Sequence, residues 1–253
     1  MLTVMTANLQ RAYFKLSPYH WEQRKHLIFQ LLDEISPHIL CTQELTQNVI
    51  DEIIQKLPHL SYSGEGRFGG RKGEYVAIFY DAQRVELLKE GTFWLSHKPN
   101  KKGSRGWMSF FPCICSWGEF QDKLSGEIYK VFNTHLDHIS PMARLHGLRI
   151  IREHMEDNCC NNDKIIIAGD FNAPPHSKAL RRFTSTEHYN LIFYQAVKEG
   201  RTFHGLSKKE QGSPIDYIFT SQNIQIREAY ILKNQYEGRY ISDHHPLIAV
   251  IES

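Results

Sequence analysis

The chain has 253 residues, 41% hydrophobic and 23% charged, which allows a well-buried core in an ordinary globular balance. Its formal net charge of +2 excludes a dedicated nucleic-acid coat or packaging protein, which needs a larger basic excess to neutralise phosphates. No apolar run approaches the roughly 18 residues of a membrane span, so no membrane role is expected.

In chain order, "LTVMTANL" opens as a strand and ends near Asn8. "HWEQRKHLIFQLLDEISP" places Trp21, Lys25, Ile28, Leu31, Leu32 and Ile35 near helical spacing and stops before Pro37. "HILCTQE" is a short buried strand ending in Glu44, and "VIDEIIQKLP" is a second helix with Val49, Ile50, Ile53, Ile54 and Leu57 inward. The Gly-rich stretch "GEGRFGGRKGE" lacks the spacing of a phosphate loop and is expected to be a surface hairpin or flexible loop.

Four strands follow in "YVAIFYD", "VELLKEGTFWLS", "FPCICSWGEF" and "EIYKVFNTHL", rich in β-branched and aromatic residues. A basic loop, "HKPNKKGSRGW", lies between two of them. "PMARLHGLRIIREHMEDN" returns to helical spacing, and "KIIIAGD" has the continuous apolar run of a strand buried on both faces. "SKALRRFTS" is a short helix; "PIDYIFTS", "IQIREAYIL" and "HPLIAVIES" are strands. No linker or repeat divides the chain, so residues 1–253 are expected to form a single mixed α/β domain.

The five cysteines (Cys41, Cys113, Cys115, Cys159 and Cys160) are odd in number, and none stands in a C-x-x-C frame. Free thiols in a reducing compartment are expected. "MLTVMTANLQ" has no signal-peptide pattern, so a cytoplasmic location is expected.

Polar residues recur where apolar runs end: Asn8, Glu44, His135 with Asp137, Asp170 with Asn172, Asp216, and Asp243 with His244. Rigid strand ends at one edge of a layered fold are where sites form. In extended chain, residues two apart face the same way, which would aim His135 with Asp137 and Asp170 with Asn172. Carboxylates with an amide oxygen make a hard oxygen site suited to Mg²⁺ or Mn²⁺. Histidines beside carboxylates suit proton transfer. No serine or cysteine is clearly paired with a base, so water is the expected nucleophile and phosphoester hydrolysis the expected chemistry.

"TANL", "TQE", "NTHLDH", "GDFN", "PIDYIF" and "SDHHP" occur in this order over nearly the whole chain. Together they resemble the endonuclease/exonuclease/phosphatase superfamily with its DNase I-like fold. "FNTHLDH" and "GTFWLS" look most like bacterial members near the CCR4-type branch. The resemblance implies a four-layer α/β sandwich, two packed and mainly antiparallel β-sheets flanked by helices. It also implies divalent-metal-dependent hydrolysis. By that resemblance Glu44 is the main metal ligand, with Asn8 and Asp243 also at the metal. His135 lies beside the leaving group, Asp170 orients or deprotonates the water, and Asn172 holds a phosphate oxygen. Asp216 orients and polarises His244.

Two departures stand out. Gln10 occupies a place where some nuclease members carry an acid, and Pro112-Cys113 stands where relatives often have an arginine. Arg105 or Arg144 is a candidate to supply the missing phosphate contact, and Trp107 a candidate for base stacking, each against a plain structural reading. The expected function is a phosphodiesterase or nuclease, with single-stranded nucleic acid the favoured substrate. The alternative is a phosphomonoesterase on a nucleotide, sugar or inositol phosphate, and third comes a catalytically silent phospho-ligand binder. No obligate protein partner is implied.

Overall fold

The computed structural model describes residues 1–11, 17, 19–187, 189–205 and 212–252. In chain order the first half holds β1 (Leu2–Asn8), α1 (Trp21–Ile35), β2 (Ile39–Gln43), α2 (Gln47–Lys56), β3 (Leu60–Ser63), β4 (Ile78–Asp81), β5 (Val85–Trp94) and β6 (Ile114–Asp122). The second half holds β7 (Ile128–His135), α3 (Pro141–Asn158), β8 (Lys164–Asp170), α4 (Lys178–Phe183), β9 (Phe193–Gln195), β10 (Asp216–Ser221), β11 (Ile226–Ile231) and β12 (Leu247–Ile251).

The strands form two six-stranded sheets, β11-β12-β1-β2-β4-β3 and β5-β6-β7-β8-β10-β9. Alternation along the central strands sets the layers. On β1, Leu2 and Val4 join the core between the sheets, while Met5 and Ala7 join the core under α1 and α2. On β8, Ile166 and Ala168 face the other sheet, while Ile165 and Ile167 pack toward α3 and α4. That is why "KIIIAGD" is apolar at consecutive positions: both faces are buried. The result is the four-layer sandwich, helices outside and sheets inside, that the resemblance implied.

The helices follow their local signals. α1 buries Trp21, Arg24, Leu27, Ile28, Leu31 and Leu32, and ends at Ser36 in the left-handed region just before Pro37. Lys25 and Ile35, which share the helical spacing, are part-buried at the margin of a stripe centred on Leu27 and Ile28. α3 starts with Pro141 at its first turn, capped by the Ser140 hydroxyl, which accepts from Ala143 N at 3.1 Å. Two strands escaped the sequence reading, β3 and β9. Both are edge strands of four and three residues, too short to carry a period. Ser253, at the end of the predicted last strand, lies outside the described residues.

Each sheet has a parallel pair at its centre. β1 runs parallel to β2, with Asn8 opposite Gln43; β7 runs parallel to β8, with His135 opposite Asp170. β10 is antiparallel to β8, so its first residue, Asp216, pairs with the last of β8, Asp170. The topology thus gathers the polar strand ends at one edge.

Candidate active site

Backbone strain marks that edge. Of the seven described non-glycine residues with positive φ, three (Gln10, Glu44 and Asn172) lie just beyond a central strand at this edge. Such conformations cost on the order of 1–3 kcal/mol each and concentrate at functional sites. Gly169 has φ +136, and a Cβ there would stand 2.0 Å from Thr134 O. Only glycine lets β8 lie this close to β7 and aim Asp170 at His135.

Asp170 is the hub. It is 1% exposed. Its Oδ1 accepts from Asn172 N at 2.9 Å and its Oδ2 from Asn8 Nδ2 at 3.0 Å. His135 Nε2 lies 3.5 Å and His244 Nε2 3.8 Å from the same Oδ2. Burial, then the charge of Asp216, raise the Asp170 pKa above the usual aspartate range. His244 Nδ1 donates to Asp216 Oδ2 at 2.9 Å. Burial opposes protonation of His244, but Asp216 and Asp170 outweigh it and push the pKa up to about 10. Asp216 therefore holds a protonated His244 whose Nε2 faces the cleft.

Glu44 belongs to the other sheet. Its Oε1 accepts from Asn8 Nδ2 at 3.0 Å and its Oε2 from Arg11 N at 2.6 Å. Burial works against its charge, but His135, the Arg11 N–H and Asn8 prevail, and Glu44 titrates below the usual glutamate range. Asn8 thus bridges both sheets through one amide nitrogen, while its carbonyl accepts from Gln10 N at 2.9 Å. In this arrangement the Asn8 amide nitrogen orients both carboxylates.

Glu44 and Asp243 line the same cleft as His135, Asp170, Asn172 and His244, about 320 Å³ in volume. The Asp243 pKa is raised by burial, with Glu44 adding repulsion. Two carboxylates facing one cleft offer hard oxygen donors, so the donor set fits Mg²⁺ or Mn²⁺. Asp170, Asp216 and His244 also bring ligand atoms within 4.8 Å of one another. There both imidazole nitrogens already face carboxylates, an arrangement for handling a proton.

Asp137 lines the same cleft as His135, where it accepts from Ile139 N, Ser140 N and Phe110 N and pins the loops at the rim. Three side chains read as substrate-binding candidates are otherwise engaged. Arg144 donates to Asp137 O at 2.9 Å and does not line the cleft. Arg105 donates to Phe110 O at 3.0 Å and is likewise outside. Trp107 stacks on His146 at 4.5 Å and 9° and leans on His97 at 4.2 Å, so its indole is engaged in packing outside the cleft. Asn172 does line the cleft, but its Nδ2 donates to Leu136 O at 2.9 Å and ties two strand ends together.

Sequence reasoning missed three residues. Arg24 of α1 is buried and donates to the carbonyls of Tyr19, Leu9, Gln10 and Ile241, fixing the backbone behind Glu44 and Asp243. Arg67 and Glu74, from the Gly-rich loop, pair with each other and line the cleft. Their signal was faint: charges flanking glycines in a segment without period.

The family model for the endonuclease/exonuclease/phosphatase family matches residues 5–244. This chain belongs to that family. A mannosyl-6-phosphatase of Bacteroides thetaiotaomicron is 30% identical, with full coverage of both chains and a TM-score of 0.92. An uncharacterized protein of Acanthamoeba polyphaga mimivirus is 27% identical over 278 residues, covering 99% of this chain and 100% of the relative. D. rerio TDP2 with a single-strand DNA product is 13% identical, covers 100% of this chain and 99% of its own, and has a TM-score of 0.78. At that identity the likeness extends to the fold. The endonuclease/exonuclease/phosphatase family is one of phosphoester hydrolases, and this structure gathers Asn8, Glu44, His135, Asp170, Asp216 and His244 into one hydrogen-bonded cluster at the cleft.

Proposed function

We propose that this chain is a divalent-metal-dependent phosphomonoesterase acting on a small, polar phosphorylated substrate. The observation that carries the reading is where the side chains fall. The acid–base set lines a compact cleft, whereas Arg105, Arg144 and Trp107, the groups suited to following a longer nucleic-acid strand, are engaged in anchoring loops outside it. The mannosyl-6-phosphatase supports the same choice at 30% identity, against 13% for the DNA-bound relative. On this reading we place the monoesterase ahead of the diesterase that the sequence favoured.

Glu44 and Asp243 would hold Mg²⁺ or Mn²⁺, which supplies charge neutralisation at the phosphoryl oxygens. Asp170, its affinity for a proton raised by burial, takes the proton of the attacking water. The water oxygen bonds to phosphorus as the ester P–O bond breaks. Protonated His244, steadied by Asp216, donates to a phosphoryl oxygen where negative charge builds. His135 is placed to give a proton to the leaving alcohol oxygen. The products are an alcohol and inorganic phosphate.

The test is a hydrolysis screen with Mg²⁺, Mn²⁺ or EDTA. Its substrates are a hexose 6-phosphate, ethyl phosphate, bis(p-nitrophenyl) phosphate, single-stranded RNA and single-stranded DNA. Metal-dependent release of phosphate from a monoester, lost in Asp170→Asn, is expected. Turnover of diesters alone would return the chain to the nuclease reading, and binding without turnover of any substrate would make it a silent relative.

A further inference from the structure

The Gly-rich loop between β3 and β4 is a built wall of the cleft. Arg67 N donates to Glu74 O at 2.9 Å and Gly66 N to Gly70 O at 2.7 Å, closing a tight hairpin. A Cβ on Gly66 would stand 2.2 Å from Lys72 O, so this turn requires glycine. Tyr75 N donates to Leu45 O at 2.8 Å, fastening the hairpin beside Glu44. Trp94 Nε1 donates to Arg67 O at 2.7 Å, fastening it to the second sheet.

This wall carries a specific set of groups. The Arg67 guanidinium lies over the Phe111 ring, 5.1 Å from its centroid, and pairs with Glu74. Glu74 also pairs with Arg11 at 3.1 Å. The Arg67 and Glu74 side chains are 14% and 12% exposed, and Phe111 is 39% exposed. All three line the cleft alongside His135 and His138. The pairings with Arg67 and Arg11 fix the orientation of the Glu74 carboxylate in the cleft wall. An immobilised carboxylate accepts sugar hydroxyls, a guanidinium donates to ring and hydroxyl oxygens, and an aromatic face covers the C–H face of a pyranose. The reaction itself uses none of these three residues.

We propose that Arg67, Glu74 and Phe111 form the leaving-group subsite, and that it selects a polyhydroxylated, sugar-type alcohol. The inference rests on the monoesterase reading and adds its substrate class. Glu74 accepts hydroxyls of the leaving group, Arg67 holds Glu74 in place and donates beside it, and Phe111 supports both the guanidinium and the sugar face.

The experiment compares kcat/KM for a hexose 6-phosphate with kcat/KM for ethyl phosphate, which lacks the ring and the hydroxyls. This ratio is independent of the folded fraction, so a destabilised variant remains informative. The ratio is expected to exceed one in the wild type and to fall about tenfold in Glu74→Gln and in Phe111→Ala, the size of one well-formed hydrogen bond or packing contact. Phe111→Tyr should retain it. The loss is expected in KM more than in kcat. Equal losses on both substrates, or an unchanged ratio, would overturn the subsite while leaving the phosphatase intact. In parallel, calorimetry measures binding of the hexose 6-phosphate and of inorganic phosphate to Asp170→Asn. Tighter binding of the sugar ester, lost on adding Glu74→Gln, supports the subsite even if turnover fails and the monoesterase reading falls. Equal binding of the two probes overturns it.

Discussion

The two sheets contribute to one cleft in different ways. The β1–β2 side supplies Glu44, which titrates below the usual glutamate range, held by Asn8 and the Arg11 N–H. The β7–β8–β10 side supplies His135, Asp170 and Asp216, where burial keeps the Asp170 pKa high and Asp216 works through His244. One half keeps a carboxylate charged, which suits a cation. The other keeps a carboxylate close to its proton, which suits a base. The same four-layer packing produces both, and the difference comes from the neighbours: His135, the Arg11 N–H and Asn8 favour the charge of Glu44, whereas burial and then Asp216 disfavour that of Asp170.

The largest expected effect comes from the proton-handling half. Asp170→Asn removes the base and should lower kcat about 10³-fold with little change in KM, measured by phosphate release at saturating Mg²⁺. Next is the cation-holding half. Glu44→Gln should cost about 10²-fold and raise the Mg²⁺ concentration needed for half-maximal rate, read from a metal titration. If the metal requirement moved in Asp170→Asn and stayed fixed in Glu44→Gln, the assignment of the halves would be reversed.

A third prediction concerns pH. His244 acts protonated, so activity is lost as pH rises through its pKa, which Asp216 and Asp170 hold near 10. Asp216→Asn removes part of that support. It should shift the alkaline limb of kcat/KM to lower pH and reduce the plateau about tenfold. An unmoved limb would contradict the role of Asp216.

The extent to which this was legible in the sequence follows from the same comparison. β8 and β1 were readable because burial on both faces leaves an uninterrupted apolar run, and their polar termini then stood out as Asn8 and Asp170. β3 and β9 were not, since "LSYS" and "FYQ" become strands only by pairing with β4 and β10. Asp137 and Asn172 do reach the cleft with His135 and Asp170, but by loop geometry and not by strand alternation, because the strands stop at His135 and Asp170 and the chain then turns, at Asn172 with φ +47. Arg67 and Glu74 were hidden because a loop has no period to break. The contacts of Trp107 were not legible either, because an aromatic residue in a basic loop looks the same in sequence whether it is open or, as here, packed with His97 and His146.

The smallest predicted effect lies behind the site. His245 packs against His204 at 4.4 Å and Tyr240 at 5.0 Å. Burial, then the charge of His204, lower its pKa from 6.5 to about 4. The unfolded chain therefore binds more protons than the folded one in that window. Stability contributed by neutral His245 is fully present above pH 6.5 and is lost as pH falls toward 4. His245→Asn should flatten this acid-side slope in urea unfolding measured across that range, leaving stability at pH 8 nearly unchanged. A slope as steep as the wild type would place the titration elsewhere.

The central claim is that the two halves work as one unit, joined by the single Asn8 nitrogen that donates to both Glu44 and Asp170 at 3.0 Å. A double-mutant cycle of Glu44→Gln and Asp170→Asn on phosphate release tests it most directly. Groups acting as a unit are non-additive. The account predicts that the double variant falls about 10³-fold, near the slower single variant. A loss near 10⁵-fold, the product of the two single effects, would mean that the sheets contribute independently and would contradict it.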